Sequence, residues 1–280
     1  MKQAAIVIAV LGICVGVRAQ DKSATQTAPN AQSTTTAQGK RAPAAKTQPE
    51  FEAYKAAIQL TDPAAAEKAA EDFSAKFPDS ELRVVLYKSA MQKYQANADK
   101  MLDLAQKSLA IDPDDPEALV TASQVLAEKT RDTDLDRDQK LAEAKKDAER
   151  ALVTVDSDVP TAGFPPEKID QFKRFIRSEA YAILGTLASN AKNYAEAETD
   201  LRKSVEAFPE QVDPVAVLRL AIALDMQNKY PDALKYANQA VDLTKNQPDS
   251  PAAKAAHSEQ DRLTKLSSGS APGQSAAPPK

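Results

Sequence analysis

Few residues in this 280-residue chain are of the types that carry covalent chemistry. There is one cysteine, Cys14, and one histidine, His257. That leaves no pair for a disulfide, no cysteine cluster for a metal, and a single imidazole for any nucleophile–base arrangement. His257 lies in a polar stretch with Lys254, Glu259 and Gln260 and reads as an exposed bystander. Between Lys40 and Leu266 only Gly163 and Gly185 are glycines, so a glycine-rich loop that cradles phosphate is excluded. One acidic segment stands out. Asp132, Asp134, Asp136 and Glu143 fall at positions one, three, five and twelve of a stretch, the carboxylate spacing of a helix–loop–helix calcium site. The sharp turn of such a loop needs glycine, and this chain has Arg137 there, with Arg131 beside it. The competing and preferred reading is a solvated acidic loop whose last Asp caps the following helix.

The elements around these residues are helical. From Glu50 to about Leu266 the chain is dominated by Ala, Leu, Lys, Glu and Gln, all good helix formers. Prolines fall at segment edges (Pro63, Pro78, Pro113, Pro116, Pro160, Pro209, Pro214, Pro251), where proline is tolerated at first turns and after helix ends. The pattern predicts helices of about 12–15 residues joined by short turns, an all-α chain of antiparallel helix pairs.

The pairs repeat. Twelve residues separate Gly185 from Ala197, and twelve more separate Ala197 from Pro209. Val217, Leu220, Ala221, Tyr230 and Ala233 keep the same offsets. Tyr54, Ala66 and Pro78 show the twelve-plus-twelve spacing, as do Ser89, Met101 and Pro113. Small residues at Gly185, Ala197, Ala221 and Ala233 let two helices approach closely, and larger residues fill the gaps.

With these residues, the chain resembles the tetratricopeptide repeat, a helix-turn-helix unit of roughly 34 residues. Tyr181–Pro209 and Val217–Leu243 match well, through Asn193-Tyr194-Ala195-Glu196-Ala197 and Lys229-Tyr230-Pro231-Asp232-Ala233. Units at 50–79 and 82–113 match more loosely, with Ser89 and Met101 in place of the usual Gly and Ala. A unit at 116–156 matches in its first helix (Leu119, Ala122, Ser123, Leu126), while its second helix (Ala144, Ala148, Ala151, Leu152) arrives about nine residues late. The resemblance implies a right-handed superhelix, an α-solenoid of about five units over 50–249. It also implies a concave groove, lined mainly by first helices, that holds a protein or an extended peptide. Offsets within the first helices place Arg83, Tyr87, Gln124, Thr186, Asn190, Arg219, Ile222 and Met226 in that groove. The mixture of Arg, amides and apolar groups suits an extended peptide with a few acidic side chains. Residues 250–266 are expected to form a capping helix, with Ser250 as N-cap and Pro251 at its first position; Ala252, Ala255, Leu263 and Leu266 would make its thin apolar stripe. Ile169, Phe172, Phe175 and Ile176 share one helix face and are expected in the core.

The ends differ in composition. Lys2, the apolar run Ala4–Val17 and Val17-Arg18-Ala19 read as a secretory signal peptide over 1–19, cleaved after Ala19. The apolar run is too short to span a bilayer. Cleavage removes Lys2 and Arg18 and takes the net charge from −4 to −6, which opposes nucleic-acid binding. Residues 20–49 and 267–280 hold almost no large apolar side chains and are expected to be a disordered linker and tail. The expectation from sequence is therefore a non-catalytic binding scaffold of the bacterial periplasm or cell envelope, or a secreted one, without a cofactor. A self-associating structural envelope protein and a weak calcium-binding repeat protein are the alternatives.

Overall fold

A computed structural model describes residues 40–161 and 163–267. Among the described residues every regular element is helical. The α-helices are α1 (Gln48–Ile58), α2 (Pro63–Lys76), α3 (Leu82–Lys93), α4 (Ala98–Leu109), α5 (Pro116–Lys129), α6 (Arg137–Thr154), α7 (Pro166–Asn190), α8 (Tyr194–Ala207), α9 (Pro214–Asp225), α10 (Tyr230–Thr244) and α11 (Pro251–Ser267), with a short 3-10 turn at Pro209–Gln211. The expected signal peptide, 1–19, and all of the expected tail 267–280 but Ser267, which ends α11, lie outside the described residues, as do residues 20–39.

Helix starts follow capping chemistry. Asp62 Oδ1 accepts from Ala65 N at 2.8 Å, Asp115 Oδ1 from Ala118 N at 2.9 Å, and Ser250 Oγ from Ala253 N at 3.2 Å. Asp213 accepts from both Val215 N and Ala216 N. In each case a proline follows at the first helical position, where its missing N–H costs nothing. Two turns within hairpins share one solution. Lys192 and Asn228 both take φ 61°. Asn193 N donates to Ala188 O at 2.9 Å, and Lys229 N donates to Leu224 O at 3.0 Å. These are the long backbone bonds that close a helix through a left-handed residue.

The described residues fall into two compact units, 40–129 with 150–176, and 130–149 with 177–267. In the first, α1 packs on α2, α2 on α3, α3 on α4 and α4 on α5, while α1 also meets α3. In the second, α8 packs on α9, α9 on α10 and α10 on α11, while α9 also meets α11. Helices thus pack on their chain neighbours, and α1 and α9 also meet their counterparts one hairpin later, as in stacked repeats. Eleven of the fourteen residues of α5 are buried, as a helix enclosed on most sides requires.

The close-packing positions read from sequence are where the helices meet. Ala66, Ala197, Ala221 and Ala233 are buried. A Cβ added at Gly185 would lie 2.6 Å from Leu201 Cγ on α8, so only glycine permits that approach of α7 and α8. Ala144, Ala148 and Ala151 of the late second helix, α6, are fully buried. Ile169 and Ile176 are buried, while Phe172 and Phe175 are half-buried. On α11 the buried stripe is Ala253, Ala256 and Leu263, so the expected Ala252 and Ala255 are displaced by one residue along the helix while Leu263 holds.

The linker expected over 20–49 does not hold for its last ten residues. α1 already begins at Gln48, with Thr47 Oγ1 accepting from Glu50 N at 3.3 Å. Residues 40–46 form no regular element and are held against the first unit by Lys40, Arg41 and Lys46.

Candidate functional site

Of the eight residues expected to line a groove, three share one continuous, half- to fully exposed stripe. Arg219, Ile222 and Met226 stand at i, i+3 and i+7 of α9 and its end, hence on one face. Most of the rest of α9 is core: Ala216, Val217, Leu218, Leu220, Ala221, Ala223 and Leu224 are buried, while Pro214 and Val215 at its start are half-buried. Ile222 is 36% and Met226 51% exposed, on a helix otherwise so apolar. Arg219, half-buried between them and Val215, makes no ion pair among the described residues. A cation without a counter-ion beside two wet apolar side chains can take a ligand carboxylate and an apolar side chain together.

The edges of this face are fixed by ion pairs. Asp225 pairs with Arg262 of α11, which Glu259 also holds at 3.0 Å. Gln227, just past α9, donates to Glu198 Oε2 at 2.9 Å and to Tyr194 O at 3.0 Å on α8. Glu198 also receives Lys229 at 2.6 Å and Arg202 at 3.0 Å. Burial works to raise the Glu198 carboxyl, but bonds from Lys229, Arg202 and Gln227 outweigh it and hold it below the usual carboxylate range.

The other expected groove residues are dispersed. Tyr87 is 8% exposed and belongs to the core of the first unit, with Tyr54, Phe73 and Leu86. Thr186 is buried and donates to Ala182 O of its own helix at 2.7 Å. Both assignments are corrected: spacing found the right helix but the inward face of it. Arg83 donates to Ser80 O at 2.9 Å, folded back over the start of α3. Gln124 is half-buried and reaches Glu128 at 3.3 Å. Asn190 is exposed at the end of α7.

The acidic loop does not assemble a cation site. Arg137 pairs with Asp132 at 3.1 Å and Asp138 at 2.9 Å, and Lys140 lies 3.0 Å from Asp136 and 3.7 Å from Asp134. Arg137, standing where a calcium loop has its glycine, is the residue that diverts Asp132. Among the described residues no group of three or more His, Cys, Asp or Glu side chains comes together as a metal would require.

Sequence reasoning missed two buried charge clusters. Lys88 of α3 lies 2.7 Å from Asp115 and 3.1 Å from Glu117, at the start of α5, and Gln92 donates to Glu117 at 2.6 Å. Burial alone would lower the Lys88 ammonium's pKa, yet Asp115 and Glu117 raise it. The signal was available as two acids flanking Pro116 and an i, i+4 polar pair on an apolar helix. The second cluster is Glu67 of α2, held by Lys100 and Tyr94, each at 2.6 Å. Glu67 follows the packing residue Ala66 as Glu198 follows Ala197, and each reaches the next hairpin's turn. The same clamp recurs in both units.

These features define an all-α helical-repeat protein built from stacked helix pairs. No family model matches the chain, and no curated protein matches it. Among solved structures it is similar to the assembly chaperone of RpL4 (Acl4, residues 1–338), at 15% identity, over 79% of this chain and 99% of that one, with a TM-score of 0.33. Among the described residues no helix is long and apolar enough to cross a membrane.

Proposed function

We propose that the chain is a non-catalytic protein-binding scaffold of the tetratricopeptide type, which holds an extended peptide or a partner protein on the outward face of α9. One observation carries this reading: Arg219, Ile222 and Met226 form a half- to fully exposed stripe along a helix most of whose other residues are buried. Arg219 supplies a charge-assisted contact for an acidic group, and Ile222 and Met226 supply adaptable apolar area. The scaffold is exported to the periplasm or secreted, a reading supported by Lys2, the apolar run to Val17 and the Ala19 cleavage position. Net charge of −4 supports a protein rather than a nucleic-acid partner.

The test is selection of peptides from a random library on the intact wild-type chain, followed by titration of the winners on Arg219→Glu and Met226→Asp. Acidic, partly apolar peptides that lose about tenfold or more in affinity (~1.4 kcal/mol) on Arg219→Glu, with an unchanged far-UV spectrum, are the expected result. Winners that bind Arg219→Glu and Met226→Asp as well as wild type would remove this face from consideration.

A further inference from the structure

Residues 40–46, Lys-Arg-Ala-Pro-Ala-Ala-Lys, cross all three loops that join successive hairpins in the first unit. Lys40 Nζ lies 2.5 Å from Asp112, in the α4–α5 loop, and 3.4 Å from Asp158, in the α6–α7 loop. Its backbone N donates to Ser157 O in that same loop at 2.8 Å. Arg41 Nη2 donates to both Glu81 carboxylate oxygens, at 2.6 and 2.7 Å, and Lys46 Nζ donates to Asp79 O at 2.7 Å, both in the α2–α3 loop. Between these cations Ala42, Pro43, Ala44 and Ala45 are half-buried, and Ala45 packs on the core cluster of Tyr54 and Leu86. The segment therefore lies across the loop edge as a peptide lies on a binding surface. Its charged side chains are at two ends and small ones lie along the middle.

We propose that this acidic loop edge is a docking track for a basic, extended segment of a partner protein, and that Lys40–Lys46 is a displaceable arm occupying it in cis. Most contacts that hold the arm are of the kind that exchange; the exception is Lys46 N, which donates to Oε2 of the buried Glu50 at 2.7 Å. Its one backbone–backbone hydrogen bond among the described residues is that of Lys40, and Arg41 and Glu81 are solvent-exposed. Exposed ion pairs are individually weak and screened by salt. A tethered arm still competes well, because its effective concentration is on the order of millimolar. Freeing the track should therefore raise its affinity for a basic peptide in trans. The track belongs to other residues and another unit than the α9 face, so either can fail without the other.

The experiment titrates a fluorescent synthetic peptide, KRAPAAKT, into two full-length proteins and reads anisotropy. One is wild type, and the other carries Lys40→Glu, Arg41→Glu and Lys46→Glu. The arm-reversed chain is expected to bind at least tenfold tighter than wild type. Raising the salt should weaken that binding, and adding Glu81→Lys with Asp112→Lys should abolish it. If the triple variant is misfolded by circular dichroism, Arg41→Glu alone serves, with a smaller rise of the same sign. No binding to a folded arm-reversed chain would overturn the proposal. So would equal affinity in wild type, or binding that survives reversal of Glu81 and Asp112.

Discussion

Replacing Gly185 with alanine sets two known effects against each other. In a helix interior alanine is preferred over glycine by about 1 kcal/mol, so on propensity alone α7 should gain stability. The new Cβ would lie 2.6 Å from Leu201 Cγ, 3.0 Å from its Cδ2 and 3.2 Å from its backbone N. Carbon atoms in contact prefer about 3.5–4.0 Å. A rotamer change could move the Leu201 side chain, but not its backbone nitrogen. Nor is there room to move into, since Leu201 is fully buried among Ala182, Ala197 and Leu220. Overpacking costs about 1–3 kcal/mol. With Leu201 enclosed and a contact as short as 2.6 Å, the upper part of that range applies, roughly 2–3 kcal/mol. The net expectation for Gly185→Ala is therefore a loss of roughly 1–2 kcal/mol after the propensity gain. Ala221 holds the corresponding place one hairpin later and is fully buried. Ala221→Gly should also destabilise, by about 1 kcal/mol, through chain entropy. Urea unfolding followed by far-UV circular dichroism compares the two. A Gly185→Ala protein as stable as wild type, or more stable, would refute the claim that α7 and α8 need glycine to approach.

Two further outcomes test the buried charges. Lys88→Met leaves Asp115 and Glu117, with side chains 7% and 8% exposed, facing each other without a cation; urea unfolding should show a loss of about 3 kcal/mol, and a loss below about 1 kcal/mol would mean that water already compensates both carboxylates. Asp147 is pushed up to about 6, first by burial and then by the charge of Glu143, with Lys146 opposing. Its pKa is higher folded than unfolded, so the fold favours its protonated form: the cost is absent below the unfolded value near 4 and grows as pH rises through about 6. Asp147→Asn should therefore stabilise the protein at neutral pH, by about 1 kcal/mol once solvent screening of this half-exposed group is allowed for, and thermal melts should show the gain vanish near pH 4. A gain that persists unchanged at that pH would assign the effect to something other than the carboxyl charge.

The helices and their pairing were legible because local rules and packing rules agree here. Proline marks α2, α5, α7, α9 and α11 at their first positions, and small residues twelve apart mark where partners touch. Even the delayed α6 could be read from Ala144, Ala148 and Ala151. The candidate face was only partly legible, because spacing within a repeat identifies the helix but leaves the angular phase open by one residue. Tyr87 and Thr186 were placed outward and are core, while Lys88, next along α3, carries a buried network instead.

The arm was illegible for a different reason. Composition asks whether a segment can bury enough apolar surface to offset its own ordering entropy, and Lys-Arg-Ala-Pro-Ala-Ala-Lys cannot. It is ordered by charges supplied from elsewhere: Asp112 lies 72 residues from Lys40, and Glu81 lies 40 residues from Arg41. No window of sequence contains both halves of such a contact. Loops that join hairpins of stacked repeats come to one edge, so acids scattered through the sequence become neighbours only after stacking. An acidic edge of this kind would repel itself if left bare. Three cations brought by a segment that has no structure of its own relieve that repulsion and leave the bound segment exchangeable. Reversing Glu81 and Asp112 in the wild-type chain should accordingly free the arm, and faster tryptic cleavage after Arg41 would report it.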